Sequence, residues 1–196
     1  GQAALDTDRS AYMFGLRVGK TFNNVSFKPG VTVWYDYLSG TDDSDQRNGD
    51  WKSFNTLFDT GHKFYGLQDN FLGIGGGGAT GTQGLGLQDL AIKSKLNPIP
   101  GWTLKVDYHY FWTAESIQAN TVTSSVPNTT AAGGEGLSSF LGNEIDITAV
   151  TKMNANTKVM IGYSHYDATQ GFFALKNSGT GTNSNGRFPG TDDADW

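Results

Sequence analysis

GWTLKVDYHYFW, residues 101–112, alternates bulky apolar and polar side chains along its whole length. Successive side chains of an extended chain point to opposite faces. Trp102, Leu104, Val106, Tyr108, Tyr110 and Trp112 therefore share one face, and Thr103, Lys105, Asp107 and His109 share the other. The run has the length that a tilted strand needs to cross a bilayer, roughly 9–11 residues, whereas soluble strands usually stop near 5–6. The stretch predicts a strand with hydrocarbon on one side and water on the other.

The same alternation predicts five more strands, Tyr12–Phe22, Val25–Tyr37, Leu87–Leu96, Glu144–Met153 and Lys158–Tyr166. Their connections come in two lengths. Asn23-Asn24, Asn97–Gly101 and Asn154–Thr157 read as tight turns, while 38–86, 113–143 and 167–195 are long, polar and glycine-rich. Short turns on one side and long loops on the other is the outer-membrane pattern, with the turns periplasmic and the loops extracellular. The predicted fold class is thus all-β, an antiparallel transmembrane β-barrel, with 1–196 a single domain whose repeat is the hairpin. Tyr35, Tyr37, Tyr110, Trp112 and Tyr163 are expected near the long loops and Phe22, Phe27 and Trp102 near the turns, as two interfacial girdles. Lys20 falls on the lipid face beside a turn, where its ammonium reaches the headgroups. The competing reading, a soluble all-β binding module, would pack these same aromatics into one interior core.

Composition narrows the function classes. The 196 residues include 27 Gly and no Cys, which excludes a disulfide framework and any thiolate metal site. Lys+Arg 14 against Asp+Glu 19 gives a net charge of −5, no support for nucleic acid as a partner. No apolar run reaches the 18 or so residues of a membrane helix. A mean hydropathy of −0.40 does not speak against a membrane, because barrels hide their lipid face in alternation and dilute it with polar loops.

Function is expected on the inward faces. Threading the strands by direction puts Lys28, Lys93, Lys95, Lys105, Lys152 and Lys158 in the half nearest the turns, with Arg17 a little higher. Asp36, Asp89, Asp107, Glu144 and Asp146 fall level with them or above, and His109 is expected to face lumen water. A basic lower vestibule inside low-dielectric walls would concentrate anions arriving from the periplasm. Alternatively, Lys105 with Asp107, or Lys93 with Asp89, pair across neighbouring strands to hold the wall, and the two readings are compatible.

Other motifs carry less. Gly73–Gly78 satisfies GxGxxG, but no amphipathic helix follows to present its N-terminus to a phosphate. Asp42, Asp43, Asp45 and Asp50 offer hard oxygen ligands for calcium without EF-hand spacing, so a solvated acidic loop is the favoured reading. His62, placed in the folded part of the first long loop, and His109 and His165 are isolated from one another, and no cofactor is implied. Ser164 and His165 are adjacent, which in a strand sends them to opposite faces and removes a nucleophile–base pair.

WYDYLSG at 34–40 with TDDSD after it, FNTLFDTGHKFYG at 54–66, GWTLKVDYHYFW, FLGNEIDITAV at 140–150 and DDADW at 192–196 resemble the C-terminal portion of the alginate-export family of outer-membrane barrels. The resemblance implies a large barrel of about eighteen strands in the outer membrane of a Gram-negative bacterium, a lumen passing an anionic polysaccharide, and mobile extracellular loops. The family's closing strand is not seen after DDADW, and 73–86 reads as a local glycine-rich insertion. Six strands plus a seventh beginning at Trp196 fall short of the eight of the smallest membrane barrels. Further strands of the same, longer chain are expected to complete the wall, since an open edge cannot face hydrocarbon. The expected function is a porin-like outer-membrane channel that conducts an anionic polysaccharide or other small anions without chemistry, in contact with outer-membrane lipid and lipopolysaccharide. The alternative is a non-conducting surface anchor or adhesive barrel whose loops bind a partner.

Overall fold

The computed structural model describes residues 8–56, 64–71, 81–117, 138–176 and 194–195. Six long strands, β1 (Met13–Thr21), β2 (Gly30–Leu38), β3 (Leu87–Leu96), β4 (Trp102–Trp112), β5 (Phe140–Lys152) and β6 (Lys158–Ala168), carry the fold. Two short helices, α1 (Asp43–Asn48) after β2 and α2 (Gln170–Lys176) after β6, and a two-residue strand β7 (Ala194–Asp195) complete the elements. The strands form one antiparallel sheet in the order β1-β2-β3-β4-β5-β6-β7, each paired with its neighbours in sequence. Among the described residues no helix is long and apolar enough to cross a membrane, which says nothing about crossing by strands.

Register sorts the side chains into two faces. Val18, Val33, Ile92, Tyr108 and Ile145 stand in one row, Val31, Val106, Ile147 and Tyr163 in the next, and Leu104, Ala149 and Ile161 in the one below. This apolar face is uncovered: Val33 is 48% and Ile161 63% exposed. A water-soluble protein does not leave so continuous an apolar sheet face open, so the aromatic sets do not form the interior core of a soluble module. Polar groups on this face are turned inward upon their neighbours. Ser94 Oγ donates to the Val106 carbonyl at 2.8 Å, and the Tyr108 and Tyr35 hydroxyls donate to Asn143 and Gln88 at 2.8 Å each. Lys20 Nζ lies 5.2 Å over the Phe22 ring at the turn end of β1.

Several strand boundaries differ from the sequence reading. The first turn is not Asn23-Asn24 but the whole stretch between Thr21 and Gly30, closed by Phe22 N–H donating to the Pro29 carbonyl at 2.8 Å. Phe27 and Lys28 there have φ of 64° and 46°, incompatible with a strand, and Pro29 has no N–H to give a ladder. Lys28 is therefore a turn residue and not part of the wall. At the other end β5 begins at Phe140 rather than Glu144 and β6 runs to Ala168 rather than Tyr166. A register shift at Phe111/Trp112 and Gly142, at φ 138°, break the alternation that the sequence reading followed. The final strand pairs through Ala194 and Asp195, upstream of its expected start at Trp196. Tyr163 stands level with Val106 in the middle of the apolar band, not at its upper girdle.

Val33→Lys is expected to lower stability in a bilayer by about 2–4 kcal/mol, while Thr32→Lys on the polar face has a much smaller effect. Unfolding of the protein from phospholipid vesicles measures both.

Candidate functional site

The opposite face of the sheet carries the charges, and register gives their depth. Counted from the long-loop end, the first row holds Asp36, Asp89 and Phe111, and the second Arg17, Trp34, Ala91, His109, Glu144 and Tyr166. Thr32, Lys93, Asp107, Asp146 and Ser164 form the third, and Lys95, Lys105 and Thr148 the fourth. Lys152 faces Lys158 at the bottom. Carboxylates thus occupy the upper three rows and most lysines the lower ones, the order that strand direction predicts.

Within the upper rows the charges are joined. Arg17 binds Asp36 at 2.6 Å, lies 3.7 Å over the Trp34 ring, and Trp34 Nε1–H donates to the same carboxylate at 2.9 Å. Lys93 Nζ bridges Asp107 at 3.3 Å and His109 Nε2 at 2.9 Å. A protonated lysine only donates, so Nε2 accepts and Nδ1–H donates to Asp89 at 2.9 Å. His109 is fully buried, stacked on Phe111 at 5.4 Å, and does not face lumen water as expected. The cross-strand partner of Lys93 is Asp107, not Asp89, and no Lys105–Asp107 pair forms among the described residues. Asp89 is instead claimed by His109.

Beside this network Ser164 Oγ bridges the carboxylates of Asp146, at 2.5 Å, and Glu144, at 3.1 Å. Both carboxylates also accept backbone N–H groups of the long β2–β3 loop, Gln68 to Glu144 at 3.0 Å and Leu67 to Asp146 at 3.2 Å. Gly66, at φ 85°, makes this approach possible, because a Cβ there would run into the Glu144 carboxylate. Above, Phe71 packs on Phe111 at 4.5 Å, and Leu38, Leu85, Leu87, Ile117, Leu141, Tyr166 and Leu175 close a buried apolar cluster. Segments of all three long loops therefore lie over the upper half of the polar face. Two of the apolar residues that receive them were legible: Phe111 and Leu87 are out of phase with their strands' alternation, whereas Leu141 keeps the phase of Ile145 and Ile147 and is turned to this face only by the register shift opposite Phe111/Trp112. Ser164, read only as a failed nucleophile, is the link between two carboxylates.

Among the described residues the lower half has no such cover. Lys105, Lys152 and Lys158 form no ion pair among the described residues, and Lys28 lies with Lys152 and Lys158 around one cavity at the turns.

The proposed calcium ligands serve the loop itself. Asp42 Oδ1 accepts from Asp45 N–H and Ser44 Oγ at 2.7 Å each, capping α1, and these bonds hold its carboxyl below the usual range. Asp45 pairs with Lys52 at 2.6 Å, and nothing is described of the Asp43 side chain. Among the described residues no group of three or more His, Asp or Glu is disposed to hold a metal ion. Residues 57–63 and 72–80, with His62 and the whole GxGxxG match, lie outside the described residues. His165 takes its place on the apolar face, opposite Ile145.

An antiparallel sheet with an uncovered apolar face, a charged opposite face, short turns at one end and long loops at the other is consistent with part of an outer-membrane β-barrel. The alginate-export family model matches residues 1–179, and the chain belongs to that family, one of outer-membrane transport proteins rather than enzymes. The DDADW segment lies beyond the matched residues. No curated protein and no solved structure matches the chain.

Gly66→Ala is expected to detach the loop from Glu144 and Asp146, at a local cost above about 1 kcal/mol for the positive φ alone. Faster proteolysis around 64–71 than in the parent protein checks it. Burial, reinforced by nearby Asp42 and Asp45, raises the Glu115 carboxyl above its ordinary value. A raised carboxyl favours the folded loop at low pH, and that contribution is lost as pH rises from the unfolded value, about 4.3, through the folded one. Glu115→Gln should therefore slow amide exchange at Glu115, whose N–H bonds the Leu85 carbonyl, at neutral pH and flatten its pH dependence.

Proposed function

We propose that the protein is a porin-like passage through the bacterial outer membrane for an anionic polysaccharide or other anionic solute, moving by diffusion and without chemistry. The observation that carries this reading is the depth order of charge along one face, with lysines below and carboxylates above. Family membership supports export of a polysaccharide as the broader role. Arg17, Lys93, Lys105, Lys152 and Lys158, with Asp36, Asp107, Glu144 and Asp146, line the wall, and Lys28 stands at its entrance. Low-dielectric surroundings keep the field of the lower lysines, which form no ion pair among the described residues, inside the passage, where it draws anions toward the turn end. Weak contacts at several depths then let a polymer advance without being trapped.

The β2–β3 loop acts as the constriction, supported by its hydrogen bonds to Glu144 and Asp146. Further strands of the same polypeptide close the wall, because among the described residues β1 has a neighbour on one side only and such an edge cannot face hydrocarbon unpaired; the family resemblance puts the total at about eighteen. Outer-membrane lipid and lipopolysaccharide surround the apolar face. A second reading, a non-conducting anchor whose loops bind a partner, draws on the same loop cover over the upper rows.

Replacing Lys105 and Lys152 together with Glu should turn anion preference into cation preference in planar-bilayer recordings. Unchanged selectivity removes the electrostatic mechanism, and absence of any conductance in the parent protein favours the anchor.

A further inference from the structure

Lys152 and Lys158 stand directly opposite each other in the β5–β6 register, on the polar face. Like charges so placed repel and weaken the strand pair unless something negative lies between them. No carboxylate of the described residues forms an ion pair with either. Both line a cavity of about 550 Å³ at the turn end of the sheet, and Lys28 lines it too. Its apolar wall comes from Phe27, Pro98, Ile99 and Pro100.

The turn that brings Phe27 and Lys28 to this cavity is strained. Two consecutive non-glycine residues hold positive φ, 64° and 46°, a conformation that costs energy for a bulky aromatic residue in particular. The strain is held in place by Asn97 N–H donating to the Phe27 carbonyl at 2.8 Å, which ties this turn to the next. Strain maintained in this way tends to mark ligand-binding segments.

We propose that the cavity is an entry subsite for an acidic saccharide unit. The unit's carboxylate lies between the Lys152 and Lys158 ammonium groups, Lys28 adds a third cation, and the apolar face of the sugar ring rests on Phe27 and Ile99. The volume is that of a small-molecule pocket, and a bare inorganic anion would leave the apolar wall unused. Deeper along the same face, Lys95 and Lys105 stand directly opposite in β3–β4 at a second cavity of about 410 Å³, which Thr21, Thr32 and the Lys93–Asp107 ion pair also line. A carboxylate released from the first pair finds the next one above it. This subsite rests on reading the polar face as an anion path.

The test is calorimetric titration of the full-length protein in detergent with a short oligogalacturonate at low salt. A neutral maltooligosaccharide, inorganic sulfate and a short-chain phosphatidylglycerol serve as comparison ligands. The oligogalacturonate should bind best, the neutral oligomer not at all, and the Lys152→Gln/Lys158→Gln double variant at least about tenfold more weakly. Phe27→Ala should weaken the oligomer but not sulfate. Without ligand the double variant should melt at a higher temperature than the parent, because a repulsion is removed; a purely structural lysine pair would give the opposite. With the parent protein alone, in planar bilayers, the oligomer should block current more strongly from the turn side than from the loop side. Equal affinity in parent and double variant, sulfate or the lipid binding as well as the oligomer, or symmetric block overturns the subsite and leaves the anion path standing. A parent protein that neither binds the oligomer nor conducts anions defeats the path itself.

Discussion

A peptide group in hydrocarbon has no water to bond to, so a chain that crosses a membrane in strands must pair every N–H and C=O with a neighbouring strand. Everything else in this structure follows from that pairing. Continuous antiparallel register fixes which side chains share a row, and period-two alternation then sends each row wholly to lipid or wholly to the other side. In the membrane reading proposed above, lipid covers the apolar rows, which is why they can be left open. Ionic residues, which hydrocarbon rejects, are gathered onto one face, where they must either neutralise one another or meet water and solutes.

The two halves of that face solve this differently, for a reason that lies in donor and acceptor chemistry. Carboxylates accept hydrogen bonds, and the upper rows use them to receive Arg17, His109, Ser164 and the backbone N–H groups of Leu67 and Gln68. A lysine ammonium only donates, so the lower rows offer nothing to a descending loop's N–H groups. The described loop segments accordingly lie over the acidic half, anchored by the apolar cluster around Phe71, Phe111 and Tyr166, and none of the described residues covers the basic half in this way. The pairings that quench charge above and the unquenched lysines below are two sides of one distribution.

Much of this was written in the alternation. β3 and β4 have the limits that the sequence predicts, the faces are the predicted ones, and the depth order of charge follows from strand direction alone. What period-two reading could not see was anything governed by contacts outside the strand. His109 has the pattern of a solvent-facing residue, and only the arrival of Asp89, Lys93 and Phe111 from neighbouring positions buries it. Phe27 keeps the apparent alternation of Val25–Val31, yet its positive φ puts it in a turn, a backbone property that side-chain pattern does not encode. Gly142 hid the true start of β5 because glycine belongs to neither class, and because the register shifts beside it, opposite Phe111/Trp112. Gly66 is the clearest case: its importance lies in the absence of a side chain, beside a carboxylate contributed by a strand remote in sequence.

The central claim is that lipid touches one side of these strands and water the other. The chain has no native cysteine, so single cysteines placed through 102–112 can each carry a nitroxide spin label without interference. Collision with oxygen, which partitions into lipid, should peak at positions 104, 106, 108 and 110, and collision with a water-soluble nickel chelate at 103, 105 and 107. Labels at 106 and 108 shielded from both reagents would contradict the claim, because they would lie inside a packed protein core.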